Sequence, residues 1–304
     1  MLGLQAITEM LEYMQAGRTI IDVSNTAKLA VYIAQRSRRM SRPLRALWRA
    51  MAEFMTPEEA KRAIRVGGVP IEWRKEFERA IGKFVRDDLK RIETDIFEEV
   101  GNGVARRVNV LPRKEFTFQA THGRVQERIA NHGAELLTRS TEAQIAAARI
   151  ALLEYVVAEA LTPFELAKRL RNFIGLTERY ADAVLRLERS LIAEGLAKDI
   201  IAGQVERYAT FLHKVRAENI ARTELSFGYN YGQLEAIRQA KEDGWLKGEV
   251  RKRWVTTGQA GRVCEECEAL DGEQVRESEM FSVGVEAPPL HPSCSCCLSY
   301  EARR

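Results

Sequence analysis

All five cysteines of this 304-residue chain, Cys264, Cys267, Cys294, Cys296 and Cys297, lie within its last forty-one residues. The first two form Cys-x-x-Cys, a turn that presents two sulfurs to one point while its backbone amides face them. The other three follow His291-Pro292, so the returning segment offers one imidazole and three thiols as a second ligand pair. Tetrahedral Zn2+ takes four such donors. Cys264, Cys267 and Cys294 are the expected ligands, completed by Cys296 or His291, and Cys297 is the expected bystander. A site closed by four protein ligands is structural, because a catalytic zinc keeps one position open for water. The competing reading is a disulfide-stapled tail. An odd cysteine count, a cysteine-free remainder and a start, Met1-Leu2-Gly3-Leu4-Gln5, with neither a basic nor an apolar leader segment favour a reducing compartment instead.

Upstream of this tail the pattern is helical. Thr56-Pro57-Glu58-Glu59 and Thr162-Pro163-Phe164-Glu165 each combine a Thr cap, Pro at the first helical position and a Glu placed to reach back to the cap amide; Thr141-Glu142-Ala143-Gln144 is a weaker start. Apolar residues then recur at three- and four-residue steps, as in Val184, Leu187 and Leu191, or Val205, Tyr208, Leu212 and Val215. Gly195 reads as a helix C-cap. Breaks are expected at Val66–Pro70, at Gly101-Asn102-Gly103 and at Leu111-Pro112-Arg113. Phe116–Ala120 alternates as a short strand would, and from Trp245 onward the helical period gives way to short strands around a metal. The fold expected is mainly α: an elongated multi-helix body with a small zinc-stabilised C-terminal module containing short β-strands. Its expected parts are a helical domain over 1–112, a helical body over 113–247 and a Cys/His module over 248–304.

Charge narrows the functional classes. The chain balances 47 Lys and Arg against 43 Asp and Glu, a net charge of +4, which is not that of a dedicated nucleic-acid coat. No apolar stretch is long enough to cross a bilayer. Six arginines without an acid fall between Arg36 and Arg49. Arg38, Arg42, Arg45 and Arg49 recur at steps of four, three and four, with Met40, Leu44, Leu47, Trp48 and Met51 on the other side, although Pro43 can interrupt a helix there. Such a stripe is a solvated face, or binds DNA phosphates or an acidic partner.

The order of motifs carries a resemblance. Ile220-Ala221-Arg222-Thr223-Glu224 with Asn230 is followed by Lys252-Arg253-Trp254-Val255-Thr256-Thr257. Then come Cys264-Glu265-Glu266-Cys267-Glu268-Ala269-Leu270-Asp271-Gly272 and Pro288-Pro289-Leu290-His291-Pro292-Ser293-Cys294-Ser295-Cys296. Over roughly residues 116–298 this resembles the phage Mu F-like family of minor head, or head-morphogenesis, proteins. Relatives commonly carry an arginine where Ser295 stands, and Cys297 is an addition. The resemblance marks Arg222, Thr223, Glu224, Trp254, Asp271 and Gly272 as motif residues. It implies a minor capsid protein present in several copies in the virion, with the portal and other head proteins as partners. Its implied place is the host cytoplasm during assembly, then the head interior near the portal. The first hundred residues lie outside it.

Glu224 falls in an apolar stripe with Ile220, Phe227, Tyr231 and Leu234 on a helix expected to start near Glu218, so a basic counter-ion from another helix is expected for it. Enzyme readings find little support. His122, His132, His213 and His291 are scattered, no phosphate-cradling Gly-x-x-x-x-Gly-Lys loop is present, and Glu266 and Glu268 flank a metal ligand. The chain is expected to bind, not to catalyse. The alternative is a zinc-containing nucleic-acid-binding or DNA-processing protein that uses the arginine patch.

Overall fold

A computed structural model describes residues 18–21, 26–108, 116–158, 161–256 and 263–303. Its elements are β1 (Arg18–Ile21), α1 (Thr26–Glu53), α2 (Pro57–Val66), α3 (Ile71–Phe84), a π-helical turn (Val85–Leu89), α4 (Lys90–Val108), α5 (Gly123–Ala158), α6 (Pro163–Arg171), α7 (Glu178–Ala193), α8 (Lys198–Glu242), β2 (Lys247–Val255), α9 (Glu265–Ala269), β3 (Gln274–Arg276) and β4 (Cys297–Arg303). The fold is mainly α with a small sheet near the C-terminus.

The Thr-Pro signals start helices for the expected reason. Thr162 caps α6 and exchanges bonds with Glu165, its hydroxyl accepting from the Glu165 amide and its own amide donating to the Glu165 carboxylate. Thr56 caps α2 in the same way, but Glu59 does not return to it; Glu59 accepts from the Trp73 indole at 2.7 Å. A buried indole N–H needs that acceptor more than an exposed cap amide does. Gly67 at φ 63° and Gly195 at φ 75° end α2 and α7 in the left-handed conformation.

Other local signals are overridden by packing. Gly101-Asn102-Gly103 lies inside α4. Gly101 is needed there, because a Cβ would meet the Phe118 ring at 2.1 Å. Thr141 is interior to α5 and buried. Phe116–Gln119 is irregular chain whose Phe116 and Phe118 side chains are buried, so their alternation came from packing and not from strand pairing. Pro43 sits within an uninterrupted α1. The helix bearing Glu224 begins twenty residues before the expected start, at Lys198. Leu111–Arg113 falls outside the described residues.

The chain forms two compact units. Unit 1 comprises residues 1–37, 92–128 and 220–304; unit 2 comprises 38–91 and 129–219. Unit 1 holds the four-stranded antiparallel sheet in the order β1-β4-β2-β3. β4 lies between β2, through pairs such as Trp254 with Leu298, and β1, through Ile20 with Glu301. In β2 the inward residues Val250, Lys252 and Trp254 alternate with exposed ones. α8 packs closely on α4 within this unit: a Cβ on Gly228 would lie 2.5 Å from the Ile96 side chain, and one on Gly232 would lie 3.3 Å from the Phe97 Cα. In unit 2, α2 packs on α6, and Trp73, Phe77, Phe173 and Leu176 are among its fully buried side chains.

Candidate metal centre

The Cys-x-x-Cys turn opens α9. Cys264 occupies the cap position, and its sulfur accepts from the Cys267 amide at 3.4 Å, so two thiols and a backbone donor converge as the spacing requires. From the returning loop, His291 Nε2 lies 3.1 Å from Cys264 Sγ and 3.2 Å from Cys267 Sγ. Cys294 Sγ lies 3.7 Å from Cys267 Sγ. His291 Nδ1 is 3.0 Å from the Pro292 carbonyl, which can only accept, so Nδ1 carries a proton and Nε2 faces the sulfurs. Two clusters result, Cys264-Cys267-His291 and Cys267-Cys294-Cys296, sharing Cys267. These groups can hold a metal ion. A tetrahedron with metal–sulfur bonds of about 2.3 Å has sulfur–sulfur edges of about 3.8 Å, close to the Cys267–Cys294 separation. Cys297 is buried at the start of β4, opposite Val255, and belongs to neither cluster among the described residues.

The sulfurs are electrostatically unequal. The Cys267 amide holds Cys264 below the usual thiol range. A hydrogen bond from Cys296 lowers Cys294 to about 5, and the same bond raises Cys296, which burial raises further. Burial pushes Cys267 up to about 12. Burial works against the His291 imidazolium, but the Pro292 carbonyl and the Cys294 and Cys264 sulfurs outweigh it and leave its pKa raised. A bound cation would favour the thiolate form of whichever sulfurs it takes.

The motif residues upstream anchor this loop region to α8. Thr223 Oγ1 accepts from the Ser293 amide at 2.9 Å. Asn230 donates to the Cys296 carbonyl and accepts from the Leu298 amide, at 3.3 and 3.2 Å. Trp254 is fully buried with its ring edge-on to Phe281, 5.1 Å between centroids. The Leu270-Asp271-Gly272 turn, with Leu270 buried and Asp271 and Gly272 exposed, closes back on β2: Asp271 Oδ1 accepts from the Thr256 amide, and Gly272, at φ 81°, donates to the Trp254 carbonyl. Arg222 is exposed. Glu224 is buried and hydrogen-bonded to Glu93, a neighbour the sequence did not reveal. Burial and then the charge of Glu224 hold Glu93 well above the usual carboxylate range.

A buried ionic network, also unforeseen, surrounds the same module. Glu235, fully buried on α8, receives Arg124 at 2.6 Å, Arg238 at 3.0 Å and Arg128 at 3.3 Å. Glu286 receives Arg128 and Arg238, each at 2.6 Å, and Lys241 pairs with Glu277. Lys252 donates to the Glu286 carbonyl at 2.8 Å, and burial lowers its pKa to about 8. The alternation of β2 could have placed Lys252 inward; no local signal marks Glu235.

In unit 2, Arg38, Arg42, Arg45 and Arg49 are all exposed on α1, opposite the buried Met40, Leu44, Trp48 and Met51. They make no ion pair with a described residue. Among the described residues no helix is long and apolar enough to cross a membrane.

Comparison with curated proteins and with solved structures gave no match. The family model for phage Mu protein F like protein matches residues 182–299, a span that runs from α7 through the Thr223 and Asn230 anchors to the last cysteines. Over that segment, which is less than half of the chain, the protein is similar to the phage Mu F-like family, a family of phage head morphogenesis.

Proposed function

We propose that this protein is a minor capsid protein built into the procapsid in several copies, where it meets the portal and neighbouring head proteins and affects DNA packaging or delivery. The observation that carries this reading is the family match across residues 182–299, which takes in the whole Cys/His cluster and the α8 side chains that anchor it. The chain binds and does not catalyse. Its bound metal is Zn2+, held by Cys264, Cys267, Cys294 and His291, and it closes the loop over α8. His291 is preferred to Cys296 because its Nε2 faces both sulfurs of the Cys-x-x-Cys turn, with Nδ1 fixed by a carbonyl, the usual support for a ligating imidazole. Co-expression with the portal tests the assignment: the full-length chain should co-purify with the portal ring, and a chain that stays monomeric and separate contradicts it.

A second reading, nucleic-acid binding, rests on the four exposed arginines of α1. It predicts duplex DNA binding that weakens steeply with salt and is lost when Arg38, Arg42, Arg45 and Arg49 become alanine.

A further inference from the structure

Unit 2 carries a surface cleft of about 360 Å3 between the end of α1 and the α3 segment. Its floor is apolar: Ala50, Met51, Phe54, Phe77 and Ala80. Phe54, just past the end of α1, stands edge-on to Phe77 and Trp73, with centroids 6.3 and 6.5 Å away, and is only partly covered. The rim is cationic, formed by Arg79, Lys83 and Arg86 with Glu76 as the one acid, which pairs with Arg79. Lys83 and Arg86 are exposed and make no ion pair with a described residue. Along α1, at about 100° per residue, Arg49 and Arg42 fall beside Ala46, and Ala46 beside Ala50. One small exposed residue, Ala46, therefore separates the arginine stripe from the floor residue Ala50, and cations border the floor on both helices.

We propose that this cleft docks an acidic amphipathic helix of a partner protein, with apolar side chains seated on Met51, Phe54 and Phe77 and acidic residues facing Lys83, Arg86, Arg42 and Arg49. Two features select this occupant. A DNA backbone would satisfy the cations but has nothing to bury on an aromatic floor, whereas a helix with apolar residues at i, i+3, i+4 and i+7 and acids between them satisfies both. The cleft is also at the low end of the ~300–1,000 Å3 of small-molecule sites, and its apolar floor lacks the convergent polar groups that orient a small ligand. The surface shares no residue with the Cys/His cluster, so it does not depend on the metal reading.

The test uses the full-length protein and a fluorescein-labelled helical peptide with leucines at i, i+3, i+4 and i+7 and glutamates elsewhere. Fluorescence anisotropy should show saturable binding, and a peptide of the same composition in scrambled order should bind at least ~10-fold more weakly. Ala50→Trp, at an exposed position that fills the floor, and the pair Lys83→Glu with Arg86→Glu should each weaken the ordered peptide about 10-fold, a change of ~1.4 kcal/mol. Equal binding of ordered and scrambled peptides overturns the proposal, as does indifference to Ala50→Trp. Duplex DNA that competes the peptide off and itself ignores Ala50→Trp would make the surface a phosphate-binding face. Self-association of the protein that Ala50→Trp abolishes would place a second copy in the cleft, and either result overturns the proposal.

Discussion

Around α8 in unit 1, burial is reconciled with charge by networks: Glu235 gathers three arginines, Glu286 two, and Asn230 and Thr223 take up backbone groups of the loop that carries His291 and the last cysteines. Unit 2 uses buried charge sparingly. There Glu188 accepts from Tyr155 and Arg169, Arg216 donates to the Gly175 carbonyl at 2.5 Å, and most of the core is aliphatic and aromatic. The difference follows from what each region must hold. A loop-rich module with short strands cannot bury enough apolar surface to fix itself, so directional bonds supplement it, and the proposed metal would add to them. Packed helices with wide apolar faces need few such bonds.

The largest expected effect separates the regions most sharply. Structural zinc sites contribute on the order of 10 kcal/mol to folding, so a chelator should strip hydrogen-exchange protection from residues 247–303 and leave the helices of unit 2 protected. Equal loss in both regions would break the contrast. Next comes Glu235→Ala, which leaves Arg124, Arg128 and Arg238 without their shared carboxylate and should cost about 3–5 kcal/mol. Glu235→Gln should recover part of that cost in a urea melt.

The third effect is a pH dependence of opposite sign in the two units. Burial lowers His213 of unit 2 to about 4, with the nearby Arg216 charge adding to the effect and the Ile174 carbonyl opposing it. A folded pKa below the unfolded one means the unfolded chain binds the extra proton. This contribution is therefore complete above about pH 6.5 and is lost as the pH falls toward 4, some 3 kcal/mol in all. Glu93 of unit 1 is shifted the other way, so its contribution is full below the unfolded carboxylate range and declines as the pH rises above it. His213→Gln should flatten the acid limb of the stability profile, and Glu93→Gln should raise stability at neutral pH relative to the parent. Parallel slopes in both variants would contradict these assignments. The smallest effect is Thr162→Ala at the α6 cap, about 1 kcal/mol by thermal melting, with Thr162→Ser close to the parent.

What could be read in the chain before its fold was known was local chemistry. Thr56, Thr162 and Gly195 act through bonds to residues three or four positions away, so their roles are written in the neighbouring sequence. The convergence of Cys264 and Cys267 was legible for the same reason, since their spacing is a short-range constraint, whereas His291 reaches them from a separate loop. Gly101 misled because a glycine that breaks an isolated helix is here required by the Phe118 ring, a contact from outside the helix. The Thr141 start failed because α5 continues through it. The pairing of β1 with β4, the contact of Glu93 with Glu224, and the Arg124 and Arg128 partners of Glu235 join residues far apart in the chain, for which a single sequence carries no register. Arg222, Asp271 and Gly272 had a family pattern but no mechanism; the structure supplies one for the last two, in the turn that closes on β2.

We propose that the Cys/His cluster is a structural metal site that fixes the module on α8. Native mass spectrometry with elemental analysis of protein purified without chelator tests it most directly. One zinc per chain is expected, lost in Cys264→Ser, Cys294→Ser and His291→Ala, and retained in Cys297→Ser and Cys296→Ser. Metal-free protein with a protected module would contradict the claim, and metal that survives His291→Ala but not Cys296→Ser would transfer the fourth ligand to Cys296.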